Sequence, residues 1–310
     1  LSPDMPSINT QKPLIAVIDH GGSDNPTDSQ ILQSICDKAQ KIEHQCLSAL
    51  AYWGDASVQA IESLKPYKKQ LSAIIMLQDF VMGGGDGREN VSALLKELDV
   101  PVIKAIKQRD RTALQHLLSG DGIAFDKVYY QIAMPELQGA SQPLIIANAG
   151  ETHNDDLTGI LVQRIVPDNK GIELILNRIK NWHYLQVADN KDKRVAIIYY
   201  NHPPGRHNIG ADNLDVPASL WQILQDLKTA GYQTGELPDT PEALLDIMQD
   251  HAVNLPNDTQ ALKTMANKVV KINTKNYQQW FKTLPESVQS EMVNGPLGLL
   301  QAQIKTTLKA

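Results

Sequence analysis

The stretch YYNHPPGRHNIGADNLDVPASL, residues 199–220, concentrates side chains that can do chemistry. His202 and His207 can ligate a metal or, with Asn201 and Arg206, contact a carboxylate. Their spacing matches no standard zinc motif. Asp212 and Asp215 add carboxylates, which a turn or a helix start also uses. Pro203 and Pro204 fix φ and lower the entropy cost of holding such a loop. Gly205 and Gly210 allow positive φ or close backbone approach. The loop follows the hydrophobic run KRVAIIYY and precedes an amphipathic helix. Placed at the carboxyl end of a strand in an open α/β sheet, it borders the crevice where ligands bind, with a helix N-terminus aimed at it.

Three other groups have weaker claims. DHGGSDNPTD, from Asp19, sets His20 and Asp24 beside a tight Gly-Gly turn. NAGETHNDDL offers Glu151, His153, Asp155 and Asp156, a set able to hold a divalent cation or to form a capped loop. Glu136 follows Pro135 in MPELQG and is either a functional carboxylate or part of a turn. GGGDGREN (Gly83–Asn90) is glycine-rich but lacks the Lys-Ser/Thr of a phosphate-binding loop, so it reads as a strand-to-helix connection.

The surrounding pattern supplies the scaffold. PLIAVID, CLSALAYW, LSAIIMLQ and VPVIKAI read as strands. The helices between them are DSQILQSICDKAQKI, capped by Asp28 or Ser29, then DASVQAIESL and GRENVSALLKELD. Such alternation implies a parallel sheet covered on both faces. RTALQHLLSG reads as a helix, VYYQIAMPELQG as strand and turn, and PLIIANAG as a strand. A long helix starts near Pro167, with Ile172, Ile175, Leu176, Ile179 and Trp182 on one stripe. A second alternating unit begins at KRVAIIYY. Its helices start after Asp215 and after Thr240, the first with Leu220, Ile223, Leu224 and Leu227 facing a core. The expected architecture is α/β: two flavodoxin-like lobes, 1–108 and 193–310, joined by a mixed connector over 109–192.

The 310 residues carry a formal net charge of −6, which gives no electrostatic footprint for nucleic acid. No window approaches the ~18 apolar residues of a membrane helix. With two cysteines, Cys36 and Cys46, no disulfide framework is expected, and both read as small, reduced, half-buried side chains. The start reads as the interior of a longer protein or the product of leader removal. The end reads as a helix cut in mid-course.

Asn201, Pro203, Gly205, Gly210, the run Leu214, Asp215, Pro217 and Ser219, and the pair Gly231-Tyr232 together resemble the large subunit of cobaltochelatase and magnesium chelatase. LDVPVIKAI, the MPELQG segment, RIKNWHYLQVADNKDKRVAI and YQQWFKTLPESVQSEMVNGPLG follow the family in order. The resemblance covers most of residues 70–298. Departures are His202 for Tyr, Gln138 for Asp, Asn213 for Gly, and Asn294 where Trp precedes Gly.

The resemblance implies an internal segment of the tetrapyrrole-binding subunit of an ATP-dependent metal chelatase, a ligase forming nitrogen–metal bonds and inactive as this segment alone. The metal, cobalt or magnesium, is a substrate. ATP acts through a ring-forming ATPase subunit and its companion. Read from the residues themselves, the candidate tetrapyrrole contacts are Asn201, His202, Arg206, His207, Asp212, Asp215 and Glu136. Metal contacts are His202, His207 and, more weakly, His153. The departures leave open a divergent paralogue that handles haem or a metal tetrapyrrole without inserting metal, or removes it. The cytoplasm is the family's usual compartment, and the periplasm stays open.

Overall fold

A computed structural model describes residues 8–21, 26–199, 209, 213–251, 259–267 and 270–295. It divides into two compact units, Leu1–Ala188 and Asp189–Ala310.

The first unit is a doubly wound sheet. Strands β1 (Leu14–His20), β2 (Gln45–Ala51), β3 (Leu71–Met76), β4 (Val102–Thr112) and β5 (Ala140–Asn154) run parallel. An antiparallel sixth, β6 (Leu161–Pro167), closes the edge in the order β2-β1-β3-β4-β5-β6. The parallel strands need crossovers, and helices supply them. These are α1 (Pro26–Lys41), α2 (Asp55–Glu62), α3 (Gly84–Leu98) and the short α4 (Ala113–Leu118), α5 (Phe125–Val128) and α6 (Met134–Leu137). The long α7 (Asn169–Val187) returns after β6.

Alternate residues of each strand feed opposite cores. Ile15, Val17, Ala73, Ile75, Ile103 and Ala105 meet Ile31, Ile35 and Ala39 of α1 and Ile172, Ile175 and Ile179 of α7. Leu14, Ala16, Ile18, Ile74 and Met76 meet Ile61 near the end of α2 and Val91, Leu95 and Leu98 of α3. Burying each of these aliphatic side chains stabilises the fold by about 1.5–3 kcal/mol. Asp168 caps α7 by accepting from Lys170 N and Gly171 N at 2.9 and 3.2 Å. Gly171 lies so close to β5 that a Cβ there would sit 2.0 Å from Ile145 O.

Several expectations are corrected. Of the stretch 109–192, residues 109–188 fall in the first unit, to which they supply the end of β4 and all of β5, β6 and α7, and the second unit begins at Asp189. VYYQIAMPELQG is helical: α5 runs into a π-helical turn, Tyr129–Ala133, and then into α6. Its β-branched and aromatic residues favour strands only where a sheet neighbour is free, and β4 and β5 already pair with each other. The first helix begins at Pro26, ahead of Asp28 and Ser29. Trp182 is partly exposed rather than core. Cys36 and Cys46 are joined by a disulfide that ties α1 to β2.

In the second unit, α8 (Val216–Thr229) and α9 (Pro241–His251) pack through Val216, Leu220, Leu224, Leu244 and Met248. Ile223, expected in that core, is exposed. Helices α10 (Thr259–Ala266) and α11 (Thr274–Phe281) follow. Residues 194–199 and 232–238 form no strand, so the expected second parallel sheet is absent among the described residues. Ile198 is almost fully exposed, without the sheet neighbours that would bury an apolar strand.

Candidate functional site

Chain order reverses between β1 and β3, and in open α/β sheets this switch point is where a crevice forms at the carboxyl ends of the strands. Here charged side chains are buried in that place. The ladder pairs Met76, the last residue of β3, with Lys104, and β4 runs on to Thr112. Beyond the end of β3, Lys107 reaches Asp19 at the end of β1. Its Nζ lies 2.7 and 2.9 Å from the two carboxylate oxygens. Asp19 is 0% exposed and Lys107 8%. Two charges this deep need each other, since neither has bulk solvent.

Lys104, 1% exposed, donates to Gln78 O at 2.7 Å and to Asp79 Oδ1 at 3.1 Å. Burial pushes its pKa below the ordinary lysine value. Asp79 opposes that shift, and Lys107 adds to it. A buried lysine so tuned is a candidate proton carrier. Gln78 links the strands: its amide donates to Ala51 O at 2.8 Å and accepts from Ser57 Oγ at 3.2 Å. Gln131, in the π-helical turn, donates to Asp79 Oδ2 at 3.1 Å. Such turns inside helices recur at functional sites. Farther along the same edge, Gln108 and Asn148 stand in register on β4 and β5. Each buries a side-chain oxygen that has no hydrogen-bond partner.

Aromatic side chains cluster beyond the ends of β2 and β3. Trp53, after β2, stacks on Phe80, after β3, with centroids 5.5 Å apart and planes at 27°. Tyr129 is 6.4 Å from Phe80, and His20 meets Tyr52 edge-on at 6.5 Å.

The residues singled out from sequence fare unevenly. Asn201, His202, Arg206, His207 and Asp212 lie outside the described residues, as does Asp24. Asp215 is the N-cap of α8, accepting from Ala218 N at 3.0 Å. Glu136 is exposed on α6. His153 is exposed on β5, opposite Val162. Of the two readings of that segment, the geometry favours the hydrogen-bonded loop, in which Asp155 Oδ1 accepts from Leu157 N, Thr158 N and Thr158 Oγ1. Among the described residues no group of three or more His, Cys, Asp or Glu side chains can hold a metal ion. Gly83 and Gly84 adopt φ of +86° and +45°, which explains the glycine run at the start of α3 as backbone geometry.

Sequence reasoning missed Lys104, Lys107 and Asp79. Their signal was present: VPVIKAIKQ places two lysines inside an otherwise apolar strand that must be covered on both faces.

The fold is a doubly wound α/β lobe with buried charge at its switch point. The CobN/Magnesium Chelatase family matches residues 5–296, and the chain belongs to that family. It is 32% identical over 221 residues to the chloroplastic magnesium-chelatase subunit ChlH of Oryza sativa subsp. indica, covering 69% of this chain and 14% of that protein. It is 23% identical over 222 residues to the aerobic cobaltochelatase subunit CobN of a Sinorhizobium species, covering 70% of this chain and 16% of that protein. The catalytic subunit of cobaltochelatase from Mycobacterium tuberculosis shares the fold, with a TM-score of 0.65 and 19% identity over 94% of this chain and 24% of its own. The chain thus spans about a seventh of the length of the curated relatives it matches. Among the described residues no helix is long and apolar enough to cross a membrane.

Proposed function

We propose that the chain is one part of the large, tetrapyrrole-binding subunit of an ATP-dependent metal chelatase. Its substrates are a corrin or porphyrin ring and a divalent metal, cobalt or magnesium. ATP is used by a ring-forming ATPase partner and its companion subunit, and the chain alone does not turn over. The observation that carries this reading is the buried Asp19–Lys107 and Lys104–Asp79 network at the switch point of a lobe from this family. Metal insertion must move pyrrole N–H protons, and that task needs a titratable group held away from bulk water. Glu136, Asp215 and the segment carrying Asn201, His202, Arg206, His207 and Asp212 remain proposed ring contacts, with His202 and His207 as metal contacts.

The test is titration of the chain with a free-base dicarboxylate porphyrin, followed by an insertion assay with cobalt or magnesium, ATP and the two partner subunits. We expect a shifted Soret band from the chain alone and no metalation without the rest of the large subunit. An unshifted Soret band at saturating porphyrin would sink the proposal.

A second reading is a haem or metal-tetrapyrrole handling module without insertion chemistry. It is favoured by Gln138, where the family has Asp. Both ends of its amide are spent on the backbone of Met82, so it offers no carboxylate. Haem titration of the wild type and of His202→Ala and His207→Ala separates the readings. Histidine ligation predicts a Soret shift lost in the variants.

A further inference from the structure

Three chain segments with no neighbouring sequence bring aromatic rings to one edge of the sheet: Tyr52 and Trp53 after β2, Phe80 after β3, and Tyr129 in the π-helical turn. Tyr52 is 63% exposed, Trp53 50% and Tyr129 61%. Soluble chains seldom leave rings clustered in solvent without a use for them. The backbone is bent to present them. Phe80 has φ of +64°, a conformation unfavourable for a bulky side chain, and its N–H is fixed by Tyr130 O at 2.6 Å. Gly84 starts α3 beside the indole: its φ of +45° favours glycine, and a Cβ there would make only ordinary contact with Trp53 Cε3, at 3.8 Å. The rings stand next to Asp79, whose partners are the buried Lys104 and Gln131.

We infer that the exposed face of Trp53, backed by the stacked Phe80 and flanked by the tilted Tyr129, is a stacking shelf for the flat face of the tetrapyrrole, laid over the switch point. This rests on the function proposed above and adds to the ring contacts proposed there a stacking surface within the first unit. A conjugated macrocycle suits the shelf because stacking needs area and planarity rather than aimed donors. The shelf also sets the ring edge beside the buried lysine network, where a proton leaving a pyrrole nitrogen has an acceptor path.

The experiment uses the 310-residue chain and a free-base dicarboxylate porphyrin, read by Soret shift and by quenching of tryptophan fluorescence. Trp53→Ala and Phe80→Gly should each weaken binding about tenfold or more, with circular dichroism unchanged. Trp53→Phe, which keeps a ring, should restore affinity to within about threefold of wild type. Trp280→Ala, which removes an exposed ring of α11, should change nothing.

Porphyrin binding by wild type that survives Trp53→Ala overturns the shelf and leaves the proposed function standing. Equal weakening by Trp280→Ala overturns it as unspecific adsorption. A change in oligomeric state on Trp53→Ala at unaltered porphyrin affinity makes the rings a protein interface and also overturns it. No porphyrin binding by wild type removes the proposed function first, and the shelf with it.

Discussion

Gln138 holds Met82 at both ends of one peptide position: its Oε1 accepts from Met82 N at 2.8 Å, and its Nε2 donates to Met82 O at 2.8 Å. With Tyr130 O on Phe80 N and Gln131 on Asp79, it fastens the segment after β3 to the helical turn before β5. Gln138→Ala leaves a buried N–H without an acceptor, at about 1–3 kcal/mol. Urea unfolding should show a lower midpoint at unchanged slope. Gln138→Glu, which sets a buried carboxylate against Met82 O, should lower the midpoint at least as far as Gln138→Ala.

Breaking the Asp19–Lys107 pair from one side strands a charge. Lys107→Met should cost about 3–5 kcal/mol, whereas Lys107→Met combined with Asp19→Leu should recover much of the loss. Denaturation of the two single variants and the double variant checks this. A double variant no more stable than Lys107→Met would show that the pair is not isolated from solvent as its burial implies.

His44 predicts a pH dependence. It is buried, its Nδ1 donates to Ile42 O at 2.8 Å, and its Nε2 has no partner. Burial holds its pKa below 6.5, and the nearby His183 and Lys180 add to that; Ile42 O and Glu43 oppose. The unfolded chain therefore takes up this proton first as pH falls. The contribution of His44 to stability declines from about pH 6.5 down to its folded pKa and is flat below it. His44→Leu should flatten the difference between unfolding midpoints at about pH 7.5 and about pH 5 relative to wild type.

Gly171→Ala places a methyl against Ile145 O, where 2.0 Å is available. Neither β5 nor the first turn of α7 can yield cheaply, so a loss of about 1–3 kcal/mol is expected. A thermal melt measures the loss, and faster amide exchange in the first turns of α7 would locate it.

Much of the first unit was legible because its signals are local. The runs PLIAVID and LSAIIMLQ can only be buried strands, and the α7 stripe of Ile172, Ile175, Leu176 and Ile179 is buried as its spacing requires. In the second unit, the capping roles of Asp215 and Thr240 were legible because each side chain reaches its own backbone. What escaped depends on partners distant in sequence. β6 lies in a stretch with mixed periodicity and is fixed by pairing with β5. VYYQIA is helical because it fastens Asp79 and Phe80. Lys107 finds its meaning 88 residues away, at Asp19. The loop that drew most attention in the sequence has its histidines outside the described residues, and the crevice was signalled instead by two lysines in an apolar strand.

β3 stops at Met76 while its neighbour β4 continues to Thr112. That missing length is a notch in the rim of the sheet, and Lys107 crosses it. A β3 longer by a pair of valines would fill that length with ladder bonds and leave Lys107 no route to Asp19. One strand cut short is what lets two opposite charges meet inside an apolar sheet.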